Sequence, residues 1–176
     1  AAMILLIYTY WQYLRFTINN NTQKNHISKH FSLFILILLL LQISYGAFTA
    51  GLNAGYAYNT FPLMNGHIFP AEFFSKPSFL ENIFYEPYTI QFFHRLGGII
   101  LFGISCYLIF LNLKTNNDNL LKSTEIQFSI MILFQFFLGV LTLLLKIPIY
   151  FALAHQVLAC FVLILSVKML YIISNK

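Results

Sequence analysis

Four stretches of this chain are each more than twenty residues long and nearly free of charge: about Phe31 to Leu52, Pro87 to Leu113, Glu125 to Leu145 and Ile149 to Ile173. One helical crossing of a bilayer needs about 20 consecutive apolar residues, so each stretch is long enough to span. Composition removes the alternative. Of 176 residues, 59% are hydrophobic and only 9% charged, where an ordinary soluble domain carries about 25% charge. A water-soluble monomer could not cover itself. The expected fold class is all-α: a polytopic membrane four-helix bundle preceded by the end of another transmembrane helix.

That preceding piece is residues 1–15. Ala1, Ala2 and Met3 run straight into an apolar stretch with no basic segment and no cleavage site, so it is not a signal peptide. It is also too short to span alone. It reads as the end of a truncated helix, and the chain as a fragment. Residues 16–30 form a polar, basic loop, and residues 31–176 the bundle. The loop before Pro87 holds Pro62, Pro70 and Pro77.

Lys and Arg number 10 against 5 Asp and Glu, but the cations lie between apolar runs and make no basic surface for nucleic acid. They read as topology. Arg15, Lys24 and Lys29, then Lys114 and Lys122, then Lys176 share one side, expected to be cytoplasmic. The other side has Lys76 and Lys146 together with Glu72, Glu81 and Glu86, and should be external. The expected location is the bacterial inner membrane. Cys106 and Cys160 lie within apolar runs, where they read as small packing residues and not as a disulfide framework.

The chain echoes itself. Gln42, Gly46, Thr49 and Leu52 recur as Gln135, Gly139, Thr142 and Leu145, and each set is followed by a span with one histidine near its external end. His94 and His155 lie six or seven residues into spans that run in the same direction, so both imidazoles sit roughly 10 Å below the external surface. Ionisable groups within spans are rare and usually functional. Two at one depth on parallel helices fit the axial ligands of one b-type haem iron. Gly97 and Gly98 beside His94, and Ala152 and Ala159 beside His155, would let a flat macrocycle approach. Phe92, Phe93, Phe151 and Phe161 would wall it, and Arg95 and Lys146 would meet its propionates. Against this stands a plainer reading, in which the histidines are interhelical hydrogen-bonding groups and the glycines serve close packing. Gln42 and Gln135 read as interhelical glue. His26 and His30 share a helix face but sit in a solvated loop, and His67 lies in the external loop.

The segment Gly46–Gly66 (GAFTAGLNAGYAYNTFPLMNG) closely resembles the fifth span and following loop of haem A synthases. Gln91–Arg95 resembles the sixth span, Gln135–Thr142 the seventh and Ala154–Gln156 the eighth, so the likeness covers nearly the whole chain. It implies eight spans in two similar halves, which together oxidise a methyl group of haem O to the formyl group of haem A. It implies haem b held between His94 and His155 in the second half. The first half of the family holds the substrate and a catalytic glutamate three residues before a histidine. Gln91 stands at the equivalent place here and cannot ionise, so no catalytic residue is expected in this chain. Acids are expected only in the terminal turns of the spans. The implied partners are the missing N-terminal half, haem O, haem O synthase, a second copy of the chain and membrane lipid. By itself the chain should bind haem without making haem A. A free-standing membrane cytochrome b, carrying electrons only, would need the same histidine pair. A haem-free packing or transport bundle is the third alternative.

Overall fold

The computed structural model describes residues 2–18, 27–70, 72–73, 75–114 and 120–175. Six α-helices follow in order: α1 (Ala2–Thr17), α2 (Lys29–Gly51), α3 (Phe79–Tyr85), α4 (Pro87–Leu113), α5 (Leu120–Leu144) and α6 (Ile149–Ser174). Among the described residues there is no strand, only an isolated antiparallel bridge between Met64 and His67. α2, α4, α5 and α6 are each long and apolar enough to cross a membrane. The all-α, multi-pass expectation holds.

Local chemistry sets the helix ends. Ser28 caps α2 by accepting from the Phe31 amide at 3.2 Å, which satisfies one of the donors a helix start leaves open. Pro87 occupies the first turn of α4, where its missing N–H costs nothing. Pro148 precedes α6 after Lys146 and Ile147, both in left-handed backbone at φ of 60° and 61°. That reversal is tight enough to leave two consecutive helices side by side.

One boundary differs from the hydropathy reading in a way that matters. α5 starts at Leu120 and not near Glu125. Backbone hydrogen bonds do not depend on side-chain polarity, so the helix continues through Lys122 to Glu125 into the polar loop side. Glu125 therefore lies beyond the first turn and is fully buried. The expectation that acids occur only in terminal turns is corrected accordingly.

The four long helices close into a ring in which α2 and α5 each pack against both α4 and α6. α4 and α6 thus stand at opposite corners. α1 lies outside the ring on α6, with Trp11 edge-on to Tyr171 at 5.0 Å and Leu14 buried.

The internal echo extends into the interior. Ile35, Leu39 and Gln42 on α2 stand 93 positions before Phe128, Ile132 and Gln135 on α5. Leu101, Ser105 and Leu108 on α4 stand 61 positions before Val162, Ser166 and Met169 on α6. All but the glutamines are buried, and those are half-buried. The bundle is one helix hairpin built twice.

The described residues between 52 and 86 fold across one end of the ring. Gln91 donates to the carbonyls of Gly55 (3.3 Å) and Tyr58 (3.0 Å), and Arg95 to those of Tyr58 (2.7 Å) and Thr60 (2.8 Å). Asn59 ties the same segment to α5 by donating to the Leu143 carbonyl at 3.1 Å. Asn82 closes a loop by accepting from the Lys76 amide and donating to the Lys76 and Ser78 carbonyls. Tyr58 donates through its hydroxyl to Glu72.

Candidate cofactor site

His94 is the eighth residue of α4 and His155 the seventh of α6. At 1.5 Å per residue both lie roughly 10 Å from the looped end of the bundle. They project from opposite corners of the ring, close enough to interact electrostatically with one another.

Each imidazole is seated against a glycine of the neighbouring helix. A Cβ on Gly46 would lie 3.1 Å from His94 Cε1, and one on Gly139 would lie 2.7 Å from His155 Cε1. Four residues before each glycine is the glutamine of the repeat. Gln42 donates from Nε2 to the His94 carbonyl at 2.8 Å, and Gln135 to the His155 carbonyl at 2.9 Å. The glutamines are interhelical glue, as expected, and what they hold is the histidine's own backbone.

Both Nδ1 atoms are buried without a hydrogen-bond partner. Each ring nevertheless faces the main chain of its glutamine, Gln42 for His94 and Gln135 for His155. The two histidines thus stand at one level on helices at opposite corners of the ring. Among the described residues no three His, Cys, Asp or Glu side chains group around a common point. A bare metal ion would therefore lack ligands here. A metal that brings its own equatorial ligands would need only the two axial donors.

Other expectations fare differently. Gly97 and Gly98 make room for the Gln42 amide. A Cβ on Gly97 would collide with Gln42 Oε1, and one on Gly98 would meet Gln42 Nε2 at 3.5 Å and Phe136 at 3.8 Å. Arg95 spends two guanidinium nitrogens on loop carbonyls, and Lys146 is exposed. Phe92 and Phe93 join Phe69 and Phe73 in an aromatic cluster with centroid spacings of 5.0–6.1 Å. Phe161 points outward into a surface groove with Met131 and Leu165. Cys106 and Cys160 are exposed on the outer surface of the bundle, not packed within it. His30 and His67 are exposed, and His26 lies outside the described residues. The contacts of the Phe136 ring, edge-on with Phe61 at 5.8 Å and tilted against Phe102 at 4.8 Å, were not anticipated. Nor was the seating role of Gly46 and Gly139, whose one sequence signal is their fixed spacing from the glutamines.

Fold and site together define a multi-pass α-helical membrane protein, a duplicated helix hairpin with one inward histidine per repeat. Residues 1–167 match the COX15-CtaA family model, described as cytochrome oxidase assembly protein, and the chain belongs to that family. It is 39% identical over 159 residues to the heme A synthase of Wolbachia sp. subsp. Brugia malayi, covering 88% of this chain and 45% of that relative. It is 40% identical over 161 residues to the heme A synthase of Wolbachia pipientis wMel, covering 89% and 43%. With the heme A synthase of Bartonella quintana the identity is 35% over 167 residues, covering 95% and 46%. The chain spans less than half the length of these curated relatives. No solved structure matches it.

Proposed function

We propose that this chain is the C-terminal, haem b-binding half of a haem A synthase, with His94 and His155 as axial ligands. The observation that carries the reading is the duplicated seat: each histidine rests on a glycine of the neighbouring helix, and its backbone is held by the glutamine four residues before that glycine. Bound haem would supply one-electron redox chemistry. The residues hold and orient it. The glycines admit the rings, and the glutamines fix the two backbones at one depth. The clamped loop over residues 55–60 shields that end of the bundle from water.

Oxidation of the haem O methyl group belongs, in this reading, to the absent half. A substrate iron needs an open coordination position, and two histidines leave none. Gln91 supplies no carboxylate, and Glu125 lies near the opposite end of the bundle. In this reading the loop end faces the periplasmic side of the inner membrane, and the missing half, haem O synthase and a second copy are the proposed partners.

The test is spectroscopic. The purified chain should give a b-type pyridine haemochrome and a low-spin six-coordinate spectrum, and His94→Ala or His155→Ala should each abolish the low-spin form. Two single variants with unchanged reduced spectra would overturn the ligand pair. Expressed in a strain lacking haem A synthase, the chain alone should yield no haem A. Its detection there would overturn the division of labour.

A further inference from the structure

α3 is amphipathic in the sense opposite to a helix in water. Its buried side chain is polar: Asn82 is 2% exposed and is held by the Lys76 amide and by the Lys76 and Ser78 carbonyls. Glu86, the next residue after α3, is buried too, accepting from Ser75 Oγ at 3.2 Å and pairing with Lys76 at 3.8 Å. The apolar side chains point the other way. Leu80 is 61% exposed, Phe84 41% and Tyr85 68%, and Phe79 at the helix start is exposed as well. Ile83 is half-buried. A helix packed on a water-soluble surface turns its apolar stripe inward and its polar residues outward. Single exposed apolar residues are ordinary, but here polar residues have taken the inner positions and hold the apolar face outward.

The position of α3 says what covers that face. One residue, Glu86, separates it from Pro87, where the membrane-spanning helix α4 begins. Phe84 meets Phe48 edge-on at 6.0 Å, and Phe48 lies three residues, roughly 5 Å, inside the end of α2. The outward face of α3 is therefore level with the ends of two spans and continuous with their lipid-facing surface. Aromatic side chains collect at that level of a bilayer. Glu81 shares the exposed face, so the helix belongs among headgroups, where a carboxylate keeps its water, and not in the hydrocarbon core. A partner protein is a poor fit, because a stable interface takes about 20–30 residues a side and α3 has two turns.

We propose that α3 is an interfacial anchor whose outward face, Leu80, Phe84 and Tyr85, inserts into the headgroup–acyl boundary of zwitterionic phospholipid in the leaflet at the looped end. Asn82 and Glu86 tie the anchor to the protein, and Pro87 follows directly. The anchor thus fixes the height at which α4 enters the membrane, and with it the level of His94, seven residues further on. The inference rests on the spans and is independent of the haem reading.

The experiment uses the 176-residue chain in phosphatidylcholine nanodiscs, with Trp11, its one tryptophan, replaced by phenylalanine. Leu80→Trp and Tyr85→Trp each supply a fluorescent reporter, read as the ratio of emission in brominated to unbrominated lipid. Lipid brominated near the headgroup end of its acyl chains should quench both reporters, and more strongly than lipid brominated near the chain ends. Aqueous iodide should quench both several-fold less than it quenches free tryptophan. Phe84→Ser added to the Leu80→Trp chain should at least roughly halve the lipid quenching, since it removes much of the apolar area that holds the helix in the interface. His94→Ala should leave the ratios unchanged, which separates the anchor from the histidine pair. Reporters as open to iodide as free tryptophan would mean that water covers the face and would overturn the proposal. Reporters shielded from both quenchers would mean that protein covers it, and would overturn it equally. So would stronger quenching from the chain ends, or lipid quenching indifferent to Phe84→Ser.

Discussion

The Gln42 side chain donates to the main-chain carbonyl of His94 at 2.8 Å, and the same bond recurs in the second hairpin from Gln135 to His155 at 2.9 Å. A side-chain amide that grips a neighbouring backbone fixes the relative height of two helices. Repeated across the bundle, it sets both histidines at one depth without touching either ring nitrogen.

Removing that grip should loosen the helix pair more than the ring. Gln42→Leu and Gln135→Leu should each cost about 0.5–2 kcal/mol, the range for interhelical hydrogen bonds in membranes. Thermal unfolding in nanodiscs should show a lowered midpoint with helicity retained. Unchanged midpoints in both variants would show that the bonds contribute nothing.

The two glycine seats are not equally tight, so equal substitutions should have unequal effects. An added Cβ comes to 2.7 Å of His155 at Gly139 but to 3.1 Å of His94 at Gly46. Gly139→Ala should displace its imidazole and reduce low-spin haem content well below that of Gly46→Ala. Gly103 has nothing within 4 Å of such a Cβ. Gly103→Ala should keep the spectrum and stabilise α4 by about 0.5–1 kcal/mol. An inverted order of the first two variants would contradict the seating.

Arg95 acts on the loop. Its two donors to Tyr58 and Thr60 form a planar fork that lysine cannot reproduce. Arg95→Leu and Arg95→Lys should both speed amide exchange across residues 53–63 at least several-fold, while the haem spectrum is retained. Loss of the spectrum with protected loop amides would instead place Arg95 on the cofactor.

Orientation can be read by labelling. In a chain with Cys106 and Cys160 replaced by alanine, Lys76→Cys should react with an impermeant maleimide from outside the cell, and Lys122→Cys only after permeabilisation. The reverse pattern would turn the histidine layer toward the cytoplasm.

Much of this protein was legible in its sequence, because a bilayer imposes local rules. Apolar length fixed the four spans, Pro87 and Pro148 marked helix starts, and the Gln–Gly spacing announced the duplication. The histidine pair followed from counting residues into two spans. Other features needed the tertiary structure. In lipid the outward and inward faces of a helix are both apolar, so nothing local distinguishes buried Leu101 from exposed Ile99 and Ile100. Rotation about each helix axis is decided by packing, and packing gave Gly97 and Gly98 to Gln42. It also placed α4 and α6 at opposite corners of the ring, and it turned Arg95 to the loop. Glu125 is the sharpest case. Hydropathy stops at a charge, whereas a helix stops only where its backbone bonds do, and that difference carried the carboxylate into the bundle.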